Sequence, residues 1–251
     1  MAGCYSNLGN LLSKLGRLTD AETAYGESLS ISEKLAADYP TTPNHRAMLG
    51  GGHFNLAVLL TKTDQLAEVE SAYRQAVEIF EELATEFPDA PDYRYMLGTA
   101  IGQLGLVLLD MNQLVEAETL IRRSVAEGNK LASEFPDVKE HQNLIVFAQG
   151  RLGMLQYRLH DWKAAVASLQ QAFEQYTEHE DDGDVQFFLA MTQWQLGDKE
   201  QARTTYDQAV LWMGNKDLQH DQSLRRIRTE VEQLFDVKES ETIETTTTAK
   251  P

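Results

Sequence analysis

Cysteine occurs once in the 251 residues, at Cys4, which excludes an internal disulfide and a multi-cysteine zinc site and fits a reducing, cytoplasmic compartment. Proline and glycine number only 6 and 16, so the chain is neither collagen-like nor of low complexity. No apolar run approaches the roughly 18 residues of a membrane span, and the N-terminus lacks the basic and apolar regions of a secretory signal. Positive charge is scarce as well. The 22 Lys and Arg stand against 39 Asp and Glu, and the formal net charge of −17 repels phosphate backbones and anionic lipid. Neither nucleic acid nor membrane is expected as a partner. Local catalytic signatures are missing too: there is no G-x-S-x-G elbow, Walker loop, H-E-x-x-H or dinucleotide fingerprint. Asp181-Asp182-Gly183-Asp184 lacks the alternation and closing Glu of an EF-hand loop and reads as a turn. No enzymatic activity, metal or cofactor is expected.

What is present is a repeat. Asp38-Tyr39-Pro40 returns as Glu86-Phe87-Pro88 and Glu134-Phe135-Pro136, a step of 48 residues. Asn7-Leu8-Gly9, Asn55-Leu56-Ala57, Gln103-Leu104-Gly105 and Arg151-Leu152-Gly153 keep the same register through four copies. A fifth, shorter copy matches at a step of 37, with Leu196-Gly197-Asp198 answering Leu159-His160-Asp161.

Within a unit the spacing is helical. Leu66, Val69, Tyr73, Ala76, Val77, Phe80, Leu83, Ala84 and Phe87 form one apolar stripe, which Pro88 should end and Pro91 should restart as a new helix. Breaks near Leu15-Gly16, Thr63-Asp64 and Met111-Asn112 divide each unit into a helix pair. Gly9, Ala57, Gly105 and Gly153 are small where neighbouring helix axes should pass nearest, and Gly50-Gly51-Gly52 should soften the second unit. The units predicted are 1–42, 43–90, 91–138, 139–181 and 182–215, a repeat domain closed at 236. A capping helix over 217–236 carries the stripe Leu224, Ile227, Val231, Leu234 and Phe235. From 237 the polar, Thr-rich chain reads as a disordered tail.

These residues resemble a tetratricopeptide repeat (TPR) protein. Leu8, Gly9, Ala21, Tyr25 and Ser28 take the motif's Leu, Gly, Ala, aromatic and small positions, as do Leu104, Gly105, Ala117, Ile121 and Ser124, and Leu189, Ala190, Gly197, Ala202, Tyr206 and Ala209. The resemblance implies an all-α fold, a right-handed superhelical solenoid of about five antiparallel helix pairs with a C-terminal capping helix. The long unit with its Phe-Pro punctuation also resembles the C-terminal TPR arrays of planctomycete-type bacterial serine/threonine kinases. On that resemblance the chain reads as the detached C-terminal array of a longer bacterial signalling protein.

The function implied is a protein-interaction scaffold that takes a peptide or partner segment in a concave groove built from the first helices. Positions before the Leu-Gly motif, Asn7, Asn55, Gln103 and Arg151, point into that groove in the family, and amide side chains suit an extended peptide backbone. Asn10 and Asn55 match two members of a chaperone carboxylate clamp, but Ser6, Thr99 and Gln103 stand where the clamp needs cations. Toward the C-terminal half the inner wall is expected to gain Met154, Tyr157, Arg158 and Trp194, with Phe187 and Met191, a mixed apolar and basic lining. His45 and His141 share a register with Tyr93 and read as ring packing. The alternative is self-association, in which the uncapped N-terminal repeat stacks on another copy.

Overall fold

Small residues on the first helix of each pair meet large ones on the second. A Cβ added at Gly9 would lie 2.7 Å from the Tyr25 ring, one at Gly105 2.7 Å from Ile121, and one at Gly153 2.5 Å from Leu169. Tyr25, Tyr73, Ile121 and Leu169 share one register, and Ala57 in the remaining copy is completely buried. The close approach of the two helices is thus written as an alternation of volume.

A computed structural model describes the backbone of residues 1–63, 65–175, 183–215, 218 and 222–247, and side chains as far as Phe235. Eleven helices are described: α1 (Ala2–Lys14), α2 (Leu18–Asp38), α3 (Pro43–Leu60), α4 (Leu66–Glu86), α5 (Pro91–Asp110), α6 (Leu114–Glu134), α7 (Lys139–Arg158), α8 (Trp162–Gln175), α9 (Gly183–Leu196), α10 (Lys199–Asn215) and α11 (Gln222–Thr247). No strand occurs among the described residues. The fold is all-α and of the helical-repeat class. The chain forms two compact units, Met1–Ala148 and Gln149–Pro251. In the first, α1 packs on α2, α2 on α3, α3 on α4, α4 on α5 and α5 on α6; in the second, α8 and α10 each pack on α9, as does α11.

The turn inside the first, third, fourth and fifth pairs has one geometry. The Gly16 N–H donates to the Ser13 carbonyl at 3.1 Å and the Arg17 N–H to Leu12 at 2.9 Å, a Schellman closure. Gln113 to Leu108, Asp161 to Gln156 and Asp198 to Gln193 repeat the longer bond at 2.8, 2.9 and 3.0 Å. The residue at the corner is left-handed each time, with φ of 72° at Gly16, 59° at Asn112, 63° at His160 and 93° at Gly197. In the second copy a 3-10 turn covers Thr61–Thr63, and Asp64 lies outside the described residues.

Between pairs, Pro43 and Pro91 open α3 and α5 at their first turns. An aromatic clasp spans each of the first three loops edge to face. Tyr39 meets His45, Phe87 meets Tyr93 and Phe135 meets His141, with centroids 5.5, 5.9 and 5.5 Å apart. The two histidines do the ring packing expected of them.

Ion pairs follow the repeat. Arg46 Nη1 reaches Glu86 at 2.7 Å, and Arg94 Nη1 reaches Glu134 at 2.6 Å, each across one helix pair. Across pairs, Arg74 reaches Glu116 and Arg123 reaches Glu81, both at 2.8 Å, so α4 and α6 are tied in both directions. The triple glycine of α3 is mostly a packing feature. A Cβ at Gly50 would sit 3.0 Å from Phe80 and one at Gly52 2.8 Å from Leu29, while Gly51 faces open space.

α11 includes the stretch 237–247 assigned from sequence to a disordered tail, and residues 248–251 lie outside the described residues. No proline or glycine interrupts 222–247, which removes the usual stop signals. Asp181 and Asp182 of the expected turn before α9 also fall outside the described residues.

Candidate functional site

The first unit carries a row of amides on its first helices. Asn7 on α1 is exposed, and Asn55 on α3 and Gln103 on α5 are half-buried. Asn55 Nδ2 donates to Ser6 Oγ at 3.2 Å, and Lys62 Nζ, in the 3-10 turn after α3, donates to Ser13 Oγ at 3.1 Å, so α3 and the turn that follows it are each bridged to α1 by a polar side chain. Among the described residues the side chains of Asn7 and Gln103 make no hydrogen bond, which leaves their donors and acceptors to solvent or a ligand. Asn10 is engaged differently: its Oδ1 accepts the Tyr25 hydroxyl at 2.6 Å and ties α1 to α2. Of the clamp positions without cations, Ser6 accepts from Asn55, and the Thr99 hydroxyl donates to the Tyr95 carbonyl at 2.9 Å.

The second unit corrects the expected lining. Met154, Tyr157 and Trp194 are core residues, Trp194 only 1% exposed, and Arg151 is buried. The cause is α11. Its Phe235 ring stacks on Trp194, and its Glu230 forms a two-pronged ion pair with Arg158, Nη2 to Oε2 at 2.8 Å. The Arg158 guanidinium also lies over the Phe188 ring, 5.1 Å from its centroid, and Tyr157 meets that ring edge to face at 5.4 Å. Burial, aided by Glu230, pushes the Tyr157 phenol above its ordinary value, so it stays protonated at neutral pH. Beside them the Tyr206 hydroxyl donates to Glu232 at 2.5 Å, and Arg228 reaches the same carboxylate at 2.8 Å. The Tyr206 hydrogen bond, with Arg228, holds the Glu232 carboxyl below its ordinary value.

Glu230 and Glu232 are therefore the residues whose part in this surface sequence reasoning missed. The apolar stripe of α11 was legible. The pairing of its acids with Arg158 and Tyr206 joins positions 72 and 26 residues apart, and no local pattern announces that. No cluster of three or more His, Cys, Asp or Glu side chains able to hold a metal occurs among the described residues, and none of their helices is long and apolar enough to cross a membrane.

The class this geometry defines is the helix-pair repeat. Two family models, each described as a tetratricopeptide repeat, match the chain at residues 144–210 and 1–46, and no catalytic family is among the matches. No curated protein matches the sequence. Solved structures do. A Rap protein complexed with Competence and Sporulation Factor is 18% identical with a TM-score of 0.63, over 94% of this chain and 63% of that one. BtubC (BKLC) from P. vanneervenii is 19% identical with a TM-score of 0.59, over 85% and 80%. TPR-like repeats of a putative kinesin light chain from Podosopora anserina are 18% identical with a TM-score of 0.56, over 85% and 95%. The chain thus spans less than two thirds of that Rap chain. At these identities the likeness is one of fold.

Proposed function

We propose that the chain is a non-catalytic interaction scaffold that holds an extended peptide or partner segment across the first helices of its first unit, at Asn7, Asn55 and Gln103. The observation that carries this reading is the row of amides in one repeat register on α1, α3 and α5, two of them without a hydrogen bond among the described residues. An extended backbone offers a donor and an acceptor at each residue, and an amide side chain answers both without demanding a particular sequence. The Rap structure with Competence and Sporulation Factor, and another Rap conjugation regulator in complex with the Phr* peptide, lend support, since both are of this fold and the second carries a peptide. At a net charge of −17 the partner is protein, not nucleic acid or lipid, and the single cysteine suits the cytoplasm. On this reading the array is the partner-binding part of a bacterial signalling protein.

The test is a peptide-display selection on the wild-type chain, followed by titration of an enriched peptide against the Asn7→Ala/Gln103→Ala variant. A loss of affinity of tenfold or more with an unchanged thermal melt is expected. Equal binding by the variant removes the amide face from the account.

A further inference from the structure

The second helices α4 and α6 both pack on α5, and what spans the space between them is charge. Arg74 Nη1 reaches Glu116, and Arg123 Nη2 reaches Glu81, each at 2.8 Å. The two bridges run in opposite directions and stand two helical turns apart, about 10 Å along the axis. Between them opens a cavity of about 360 Å³. Its lining is apolar at the base, where Leu104 of α5 is buried and Val77 of α4 and Leu120 of α6 are half-buried. On the α4 wall stands Glu78, exposed and without an ion pair or hydrogen bond among the described residues. The repeat alone does not produce this cup. One period earlier the two arginine positions are Gly26 and Gln75, that of Glu78 is Ser30 and that of Leu120 is Ala72, so neither bridge can form there.

We infer that this cavity receives a lysine side chain from a basic segment of a partner protein, its stem on Val77, Leu104 and Leu120 and its ammonium at Glu78. Charge selects the occupant. Arg74 is shared by Glu70 and Glu116, Arg123 is held by Glu81, and the wall residue Glu82 is matched by Arg46, which leaves Glu78 as the charge still to be answered. An acidic side chain would meet that surplus of carboxylate, and a neutral apolar one would strip water from Glu78 and give nothing in return. Shape selects it as well. A lysine lays four methylenes along apolar surface and carries its charge at the tip, where Glu78 lies at the solvent edge. The net charge of −17 draws such a segment toward the chain from a distance. The cavity belongs to the second helices and to α5, so the inference stands independently of the amide face.

The experiment is methyl NMR on the full chain, labelled at leucine and valine, during titration with a blocked alanine-lysine-alanine tripeptide up to about 20 mM. Saturable shifts are expected at the Val77, Leu104 and Leu120 methyls, with a Kd of about 1–10 mM for so small a probe. Glu78→Lys should weaken binding at least about fivefold with an unchanged thermal melt, since the residue is exposed. Glu22→Lys, the same charge change at an exposed site on α2, should stay within about twofold of wild type. A tripeptide with diaminopropionic acid in place of lysine keeps the charge and loses three methylenes, and it should bind at least about fivefold more weakly. The glutamate tripeptide should leave these methyls unmoved. Absence of shifts at the three residues, equal losses in Glu22→Lys and Glu78→Lys, equal binding by the short-stemmed peptide, or shifts from the glutamate peptide would each overturn the inference.

Discussion

The Trp194 indole lies flat on the Phe235 ring, centroids 4.1 Å apart and planes 19° from parallel, and through this stack α11 closes the apolar end of α9. Arg203 adds its guanidinium over both rings, at 5.3 and 5.7 Å, so the stack is held from its edge by a cation. Truncation of Phe235 to alanine therefore removes a buried ring and uncovers Trp194. A loss of about 3 kcal/mol in the stability of the second unit is expected, as for buried Phe→Ala substitutions in general. Urea unfolding followed by tryptophan fluorescence checks it, and the native emission should shift to the red.

Glycines that look alike in sequence should respond in opposite directions to alanine. Gly51 lies inside α3 with nothing within 4 Å of an added Cβ, so Gly51→Ala should stabilise by about 0.5–1 kcal/mol through helix propensity and chain entropy. At Gly153 the new Cβ would meet Leu169 Cγ at 2.5 Å and the Leu169 backbone nitrogen at 3.0 Å. Backbone cannot step aside as a side-chain tip can, and Gly153→Ala should cost about 1–2 kcal/mol. Paired urea curves on the two variants decide it. The same sign in both would mean that close approach does not set the helix spacing.

Acid should act through the repeated arginine pairs. Hydrogen bonds from Arg46 and Arg94 hold the Glu86 and Glu134 carboxyls below their ordinary value. A carboxyl depressed in the fold contributes stability that is fully present above its unfolded pKa and is lost as pH falls through the folded one. An Arg46→Gln/Arg94→Gln variant should therefore be less stable than wild type at about pH 7, and the gap should be narrower at about pH 3, below the ordinary carboxylate value and on the way down through the lower folded one. Both carboxylates are well exposed, so the gap is small. Denaturant midpoints at the two pH values measure it, and a gap that stays as wide in acid would assign the effect to lost packing of the arginine stems.

The pattern behind these results shows which features a sequence carries on its surface. The pairing of Gly9 with Tyr25, Gly105 with Ile121 and Gly153 with Leu169 was readable because each contact lies within one unit and recurs at a fixed step. The left-handed corners at Asn112 and His160 were readable only by register with Gly16, since neither residue type demands that conformation. The row of Asn7, Asn55 and Gln103 was legible for the same reason. Met154, Tyr157 and Trp194 were not. Whether an aromatic on a first helix lines a surface or enters the core depends on what covers it, and here the cover comes from Glu230 and Phe235 on α11, outside the period.

His141 offers the last test of how strictly the repeat specifies a contact. It is buried, edge-on to Phe135 at 5.5 Å and tilted against Tyr95 at 5.8 Å, and its Nδ1 finds no hydrogen-bond partner among the described residues. Tyr93, one period earlier, makes the corresponding contact with Phe87 at 5.9 Å. The ring is thus what the position uses, and the buried nitrogen is a cost of about 1 kcal/mol or more. His141→Phe keeps the clasp and removes that cost, so its stability should equal or exceed wild type by about 1 kcal/mol. His141→Ala removes the clasp and leaves a void, and should lose about 2–3 kcal/mol. Urea midpoints for the two variants separate the terms. A phenylalanine variant as unstable as the alanine one would mean that the imidazole holds a polar partner the position depends on.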